Sequence, residues 1–295
     1  MDEADWLAVR FEEQRARLRA VAYRMLGSLA EADDAVQNSW LRLSGAGTAD
    51  VENLAGWLTT VVARECLKML RARRSRREEP LGVHVPEPII SSADRADPEQ
   101  EALLADSVGL ALLVVLDTLA PAERLAFVLH DMFDVPFDEI APIVGRTPAA
   151  ARQAASRARR RVKGAAPVPD ADLARQREVV GAFLAAARDG DFEALVAALD
   201  PDVVLRADVG AVPAGALGVV RGAPAVAGQA LFFGRRYGQF ARPALVNGAA
   251  GIVAAVRGRP VSVLGFTVRG GKIAQIDILA DPARLRQLDL AHLDD

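Results

Sequence analysis

The sequence predicts a multidomain chain: two all-α domains, the second a helix-turn-helix, followed by an α+β domain. Three observations predict this. Helical spacing of apolar residues runs to Lys163 with one proline-rich interruption between Glu78 and Glu99. A glycine turn at Gly145 joins an apolar helix to an arginine-rich one. Beyond Asp172, two helical stretches give way to alternating strand patterns separated by glycine turns. The expected divisions are residues 1–78, a linker over 79–99, residues 100–164, a tether over 165–171, and residues 172–295.

The totals fit this picture. The chain has 295 residues, 51% hydrophobic and 25% charged, which is ordinary for a soluble globular protein. Its formal net charge of -3 means that nucleic-acid binding must come from local clusters rather than from an overall basic field. The single cysteine, Cys66, excludes an internal disulfide, and its helical spacing with Leu58, Val62 and Met69 predicts a core residue. The start is acidic and mixed, without a signal pattern, and no apolar run reaches a membrane span, so a cytoplasmic location is expected. His84, His130 and His292 have no metal-ligand spacing to one another or to Cys66, so neither a metal site nor a cofactor is expected.

Taken in order, the first helix spans about Asp5 to Met25 and stops at Gly27. The second spans about Glu31 to Leu43. On it Ala35, Val36, Ser39, Trp40 and Leu43 share an inward face, whereas Asp33, Asp34, Gln37 and Leu41 share an outward one. An outward leucine beside two carboxylates suits a docking surface, and a merely solvated acidic face stands beside that reading. A long helix follows Asn53. On one side of it Trp57, Arg64, Lys68 and Arg71 line up, so that a ring can stack on a base while the cations hold a strand; a core tryptophan beside a solvated basic stripe is the other reading. Arg73, Arg74, Arg76 and Arg77 extend the basic surface. In the proline-rich linker, the segment from Val85 to Ile90 is apolar enough to dock on something.

Helical patterning resumes at Glu101, and a further helix after Pro121 leads to the helix pair over Pro136–Lys163. His130, among Phe127, Val128, Leu129 and Met132, reads as structural. Pro142 removes one backbone donor from the first helix of the pair, which predicts a short or bent element. In the second helix Thr147 is placed to cap and Pro148 to occupy the first position. Ala151, Ala154, Ala155, Ala158 and Val162 form the packed face. Arg152, Gln153, Ser156, Arg157, Arg159, Arg160 and Lys163 project elsewhere, and no acidic residue interrupts Arg146 to Lys163. Such a surface suits phosphate, and arginine and glutamine can pair with base edges in a major groove.

In their order these motifs resemble those of the extracytoplasmic-function sigma factors, the promoter-recognition subunits of bacterial RNA polymerase. The resemblance implies that Asp33, Asp34, Gln37 and Leu41 contact core polymerase. It further implies that Asn53 and Trp57 contact the minus-ten strand and that Arg64, Lys68 and Arg71 contact its phosphates. Arg152, Gln153, Ser156 and Arg157 are then the groove residues for the minus-thirty-five element, with Thr147 and Arg160 beside them. The remainder resembles the SnoaL-like fold, a cone-shaped sheet around a pocket. A subgroup of the family carries such a tail, and its Trp-Leu-Pro-Glu-Pro linker signature appears here as His84, Val85, Pro86, Glu87 and Pro88. The resemblance implies that the tail packs against the linker and the sigma domains and modulates them, with a pocket open to a small-molecule ligand. The alternative is a DNA-binding regulator fused to a SnoaL-like isomerase or cyclase. For that chemistry Asp208 and Asp277 are the candidate carboxylates and Tyr237 the candidate donor.

Overall fold

A computed structural model describes residues 3–46, 53–75, 83–91, 109–165, 167–210 and 218–288. The chain forms two compact units, one of Met1–Glu79 with Val115–Ala165 and one of Pro80–Val114 with Ala166–Asp295.

The first unit is helical. α1 (Glu3–Leu26), α2 (Leu29–Ala46) and α3 (Leu54–Ser75) pack on one another around Phe11, Leu18, Met25, Leu43, Leu58 and Cys66. Gly27 ends α1 at φ 71°, a backbone state that only glycine adopts without steric cost. Burial pushes the Cys66 thiol up to about 12, so it is a core residue with no thiolate character. α4 (Leu110–Asp117), of which only the residues from Val115 belong to this unit, leads to α5 (Pro121–Phe127), which continues as a π-helical turn over Val128–Met132. The continuous helix expected after Pro121 therefore loosens at Val128 and ends where Asp134 takes φ 55°. His130 closes this turn: its Nδ1 lies 3.0 Å from the Val135 carbonyl oxygen, and its ring packs against Phe137, tilted by 32° with centroids 3.9 Å apart.

α6 (Phe137–Val144) is short, as Pro142 predicts, and Gly145 at φ 69° turns the chain into α7 (Pro148–Ala165). The helix-turn-helix part is locked to the three-helix part by Arg124, which is 1% exposed. Its Nε donates to the Arg24 carbonyl at 3.0 Å and its Nη1 to Asp117 at 2.9 Å. Arg24 in turn lies over the Phe133 ring at 4.7 Å.

The second unit is α+β. Asp172 caps α8 (Leu173–Asp189), and Asp191 caps α9 (Phe192–Ala198). The strands are β1 (Ile90–Ser91), β2 (Leu199–Asp208), β3 (Val219–Arg221), β4 (Ala241–Val246), β5 (Ala249–Val256), β6 (Arg259–Arg269) and β7 (Lys272–Leu279). They form one sheet in the order β1-β4-β5-β6-β7-β2-β3, antiparallel except for the β2–β7 pair. Three two-residue hairpins close on positive-φ pairs, Asn247-Gly248, Arg257-Gly258 and Gly270-Gly271, the geometry that matches strand twist. α10 (Ala223–Tyr237) joins α8 and α9 over one face, where Phe183, Leu195, Leu205, Ile252, Phe266 and Ile276 share a core.

α10 and β3 are elements additional to the sequence reading. The apolar linker segment docks, as its composition leads one to expect, and it ends as an edge strand of this sheet, where Ile90 and Ser91 pair with Val246 and Leu245. The linker residues 76–82 and 92–108, with Arg76 and Arg77 among them, lie outside the described residues, as does His292.

Candidate nucleic-acid and polymerase interfaces

On α7 the small residues Ala151, Ala154, Ala155 and Ala158 are all buried, which lets the helix sit close to α5 and α6. Thr147 caps it, its Oγ1 accepting from the Ala150 N–H at 3.3 Å. The outward face is not uniformly free. Glu123 on α5 accepts from Arg157 at 2.6 Å and from Arg161 at 3.1 Å, and Asp131 accepts from Arg159 at 2.5 Å. These three cations brace α7 against the elements behind it. Arg146, Arg152, Arg160 and Lys163 have no ion pair among the described residues; Arg152 lies over the Phe137 ring at 5.3 Å, and Arg160 reaches Ser156 at 3.3 Å. With the exposed Gln153 they form a cationic surface facing away from the packed side of the helix.

On α3, Arg64, Lys68, Arg71 and Arg74 are exposed, and Lys68 is drawn to Glu65 at 3.1 Å. Arg73 does not join them: it pairs with Glu31 on α2 and donates to the Leu26 carbonyl at 3.1 Å, tying three helices together. Val61, next to that stripe, is buried at 8% exposure, and Trp57 is half-buried. Asn53 spends its carboxamide on the helix end, accepting from the Gly56 N–H at 3.0 Å. Asn53, Gly56 and Thr60 face a cleft of about 160 Å³ whose opposite wall is Phe133–Pro136, Glu139 and Ile143. Arg17 bridges it to the Phe133 carbonyl at 3.4 Å.

On α2 the expected faces are present. Ala35, Val36, Ser39 and Leu43 are buried, whereas Asp34, Gln37 and Leu41 are exposed, Leu41 at 59%. Asp33 is engaged within the unit, gripped by Arg19 through two bonds of 2.6 and 3.0 Å.

In the second unit the linker is held by a polar clasp. The Asp208 carboxylate accepts from the Val85 N–H at 3.0 Å, from Gly210 at 3.2 Å and from Arg284 at 2.5 Å, and His84 Nδ1 lies 3.5 Å from it. Burial alone would raise this carboxyl, but His84, the two N–H groups and Arg284 outweigh it and hold Asp208 below the usual carboxylate range. Four residues beyond Val85, the Ile89 N–H donates to the Asn247 side chain at 3.1 Å, and Asn247 returns its own N–H to the Ile89 carbonyl at 2.8 Å. Val85, Pro86 and Pro88 are buried, and Glu87 is half-buried.

The other side of the sheet encloses a cavity of about 270 Å³. Leu205, Ala207, Ile276 and Ile278 point into it, so the two-residue period of a strand turns Arg206, Asp208, Gln275 and Asp277 to the opposite face. Of the three residues that an acid-base reaction would need, only Tyr237 lines the cavity. Asp277 is 1% exposed and bonded to Gln275 at 2.6 Å and Arg206 at 3.3 Å. Burial, partly offset by Arg206 and Gln275, pushes it up to about 6. Among the described residues no group of histidine, cysteine or carboxylate side chains could hold a metal ion, and no helix is long and apolar enough to cross a membrane.

These surfaces define a promoter-recognition protein of the sigma class. Residues 11–76 match the model for Sigma-70 region 2, and residues 109–162 match that for Sigma-70, region 4. The chain is 39% identical over 285 residues to the ECF RNA polymerase sigma factor SigJ of Mycobacterium tuberculosis, covering 92% of this chain and 91% of that protein. It is 33% identical to the probable ECF RNA polymerase sigma factor SigI of the same organism, covering 98% of each. The crystal structure of SigJ superposes with a TM-score of 0.78 at 37% identity, covering 96% of this chain and 99% of that one. The chain belongs to the extracytoplasmic-function RNA polymerase sigma factors and carries a C-terminal α+β domain as SigJ does over nearly its full length.

Proposed function

We propose that α7 reads the minus-thirty-five element through Arg152, Gln153 and Ser156, with Arg146, Arg160 and Lys163 on the flanking phosphates. α3 serves the minus-ten element through Trp57, Arg64, Lys68, Arg71 and Arg74. Asp34, Gln37 and Leu41 meet core polymerase in the cytoplasm. In this reading Asn53, Asp33, Arg73 and Arg157 support those surfaces in the free chain, because each is engaged within its own unit. The tail, residues 172–295, is a regulatory part that acts through the linker and not an enzyme; a cavity with no carboxylate or histidine among its described lining residues supports this.

The observation that carries the reading is the outward face of α7, where cations with no ion pair among the described residues flank an exposed glutamine on a helix packed through alanine. The test is reconstituted transcription with bacterial core polymerase on a promoter library, comparing the whole chain with one ending at Lys163. Promoter-specific starts are expected from the whole chain, at a rate that truncation changes. Duplex binding without initiation from either form would instead support a regulator that never joins polymerase. Since Asp33 also restrains Arg19, polymerase contact is best tested with Asp34→Arg and Leu41→Ala, which leave that pair intact; association with core polymerase should drop at least tenfold.

A further inference from the structure

The cavity in the tail is made by small side chains in places where a sheet normally uses large ones. Ala207, Ala241 and Ala254 sit on strands, and Ala230 and Gly234 on α10 face them with Ala280. Alanine is poorly suited to strands, and a close-packed interior would fill such positions with branched or aromatic residues. The volume is therefore a product of the sequence and not a packing fault. Among the described residues no charged side chain lines it; its polar groups are Gln229, Tyr237 and Ser262 against walls such as Phe183, Leu205 and Ile252. A charged guest would lose its hydration with no counter-charge, so the guest must be neutral. At the density of benzene in an apolar cavity of about 150 Å³, the volume holds about eleven non-hydrogen atoms.

We propose that the cavity binds a neutral, mainly apolar organic molecule of bicyclic aromatic size, and that its occupancy is passed to the linker through Asp208. The path is short. Ala207 and Val209 line the cavity on either side of Asp208. Ala280, also a lining residue, donates its N–H to the Asp208 carbonyl at 2.7 Å. The carboxylate of the same residue holds the Val85 N–H. A guest that shifts either wall strand moves the clasp that keeps the linker on the sheet. This inference deepens the regulatory reading of the tail and rests on it.

2-Naphthol, neutral near pH 7 and fluorescent, is a suitable probe for the full chain. Saturable binding at one site per chain is expected, weakened at least tenfold by Ala254→Phe and, independently, by Ala230→Leu, with each variant's fold checked by circular dichroism. In the unmutated chain, saturating probe should change amide exchange both along Ile276–Ala280 and at Val85. Absence of saturable binding would overturn the proposal, as would unchanged affinity in the folded variants. Unchanged exchange at Val85 would overturn the path to the linker. Initiation is not a readout here, so failure of the guest site and failure of the sigma reading remain distinguishable.

Discussion

Asp208 and Asp277 lie on one face of paired strands and titrate in opposite directions. Asp277 is raised to about 6 from an ordinary value of 3.8. Between those values the folded chain holds the proton and the unfolded chain releases it, so stability falls as pH rises through that window, by about 3 kcal/mol. Asp277→Asn should flatten the slope of the denaturant midpoint against pH between about 4 and 6; an unchanged slope would assign the dependence elsewhere. Asp208 has the reverse sign. Its depressed value makes its contribution complete above the ordinary carboxylate range and progressively lost as pH falls through the folded value, so the protection factor of the Val85 N–H should fall in acid. Asp208→Asn should reproduce that loss of protection at neutral pH and cost about 1–3 kcal/mol. The sequence shows both aspartates as candidate acids by residue type, and the strand period shows that each opposes its neighbours. What it does not show is which face holds the cavity, since that depends on α10, whose Gly228 and Gly234 lower its helix propensity and mask it as a loop.

Among the elements, the helix pair is the most legible, because its signals are local: Thr147 caps, Pro148 starts, Gly145 turns and alanine marks the packed face. The sorting of its arginines is not local. Glu123 reaches Arg157 from 34 residues away, so the division between bracing and free cations appears only once α5 is in place. The consequence is measurable. Arg152→Ala should cost about 1–3 kcal/mol of promoter binding and relax base preference, whereas Lys163→Ala should weaken all duplexes alike and lower the salt slope by about one. Gly145→Ala has room for its methyl group but not the φ of 69°, so it should lower stability by about 1–2 kcal/mol, read as a fall in melting temperature. The helix α3 is only half legible: its basic stripe is evident from spacing, but Arg73 and Asn53 are drawn into structural bonds by Glu31 and Gly56.

At the scale of the whole molecule, the covalent order of the chain and its compact units do not coincide. The segment between the two sigma regions, with the first residues of the second region, belongs with the tail: Leu110 fills the space beside Gly265, where a Cβ would come within 2.8 Å of it, and Val85, Ile89 and Ile90 are buried. A chain ending at Lys163 loses the partners of these residues. Limited proteolysis should then cut between Val83 and Ser91 much faster than in the whole chain; equal rates would show that the sheet does not protect the linker. The proline-rich composition reads as a spacer, and only the apolar Val85–Ile90 run announces docking.

The strand β1 lies at the rim of the sheet, bonded along β4 for two residues. It is a removable border. Whenever the linker departs, the carbonyl and N–H groups at Leu245 and Val246 become an open seam, and an extended peptide of suitable shape can be sewn into it. A second molecule carries such a peptide in its own linker, so conditions that free the linker also favour strand exchange between copies, with a yield that grows with protein concentration.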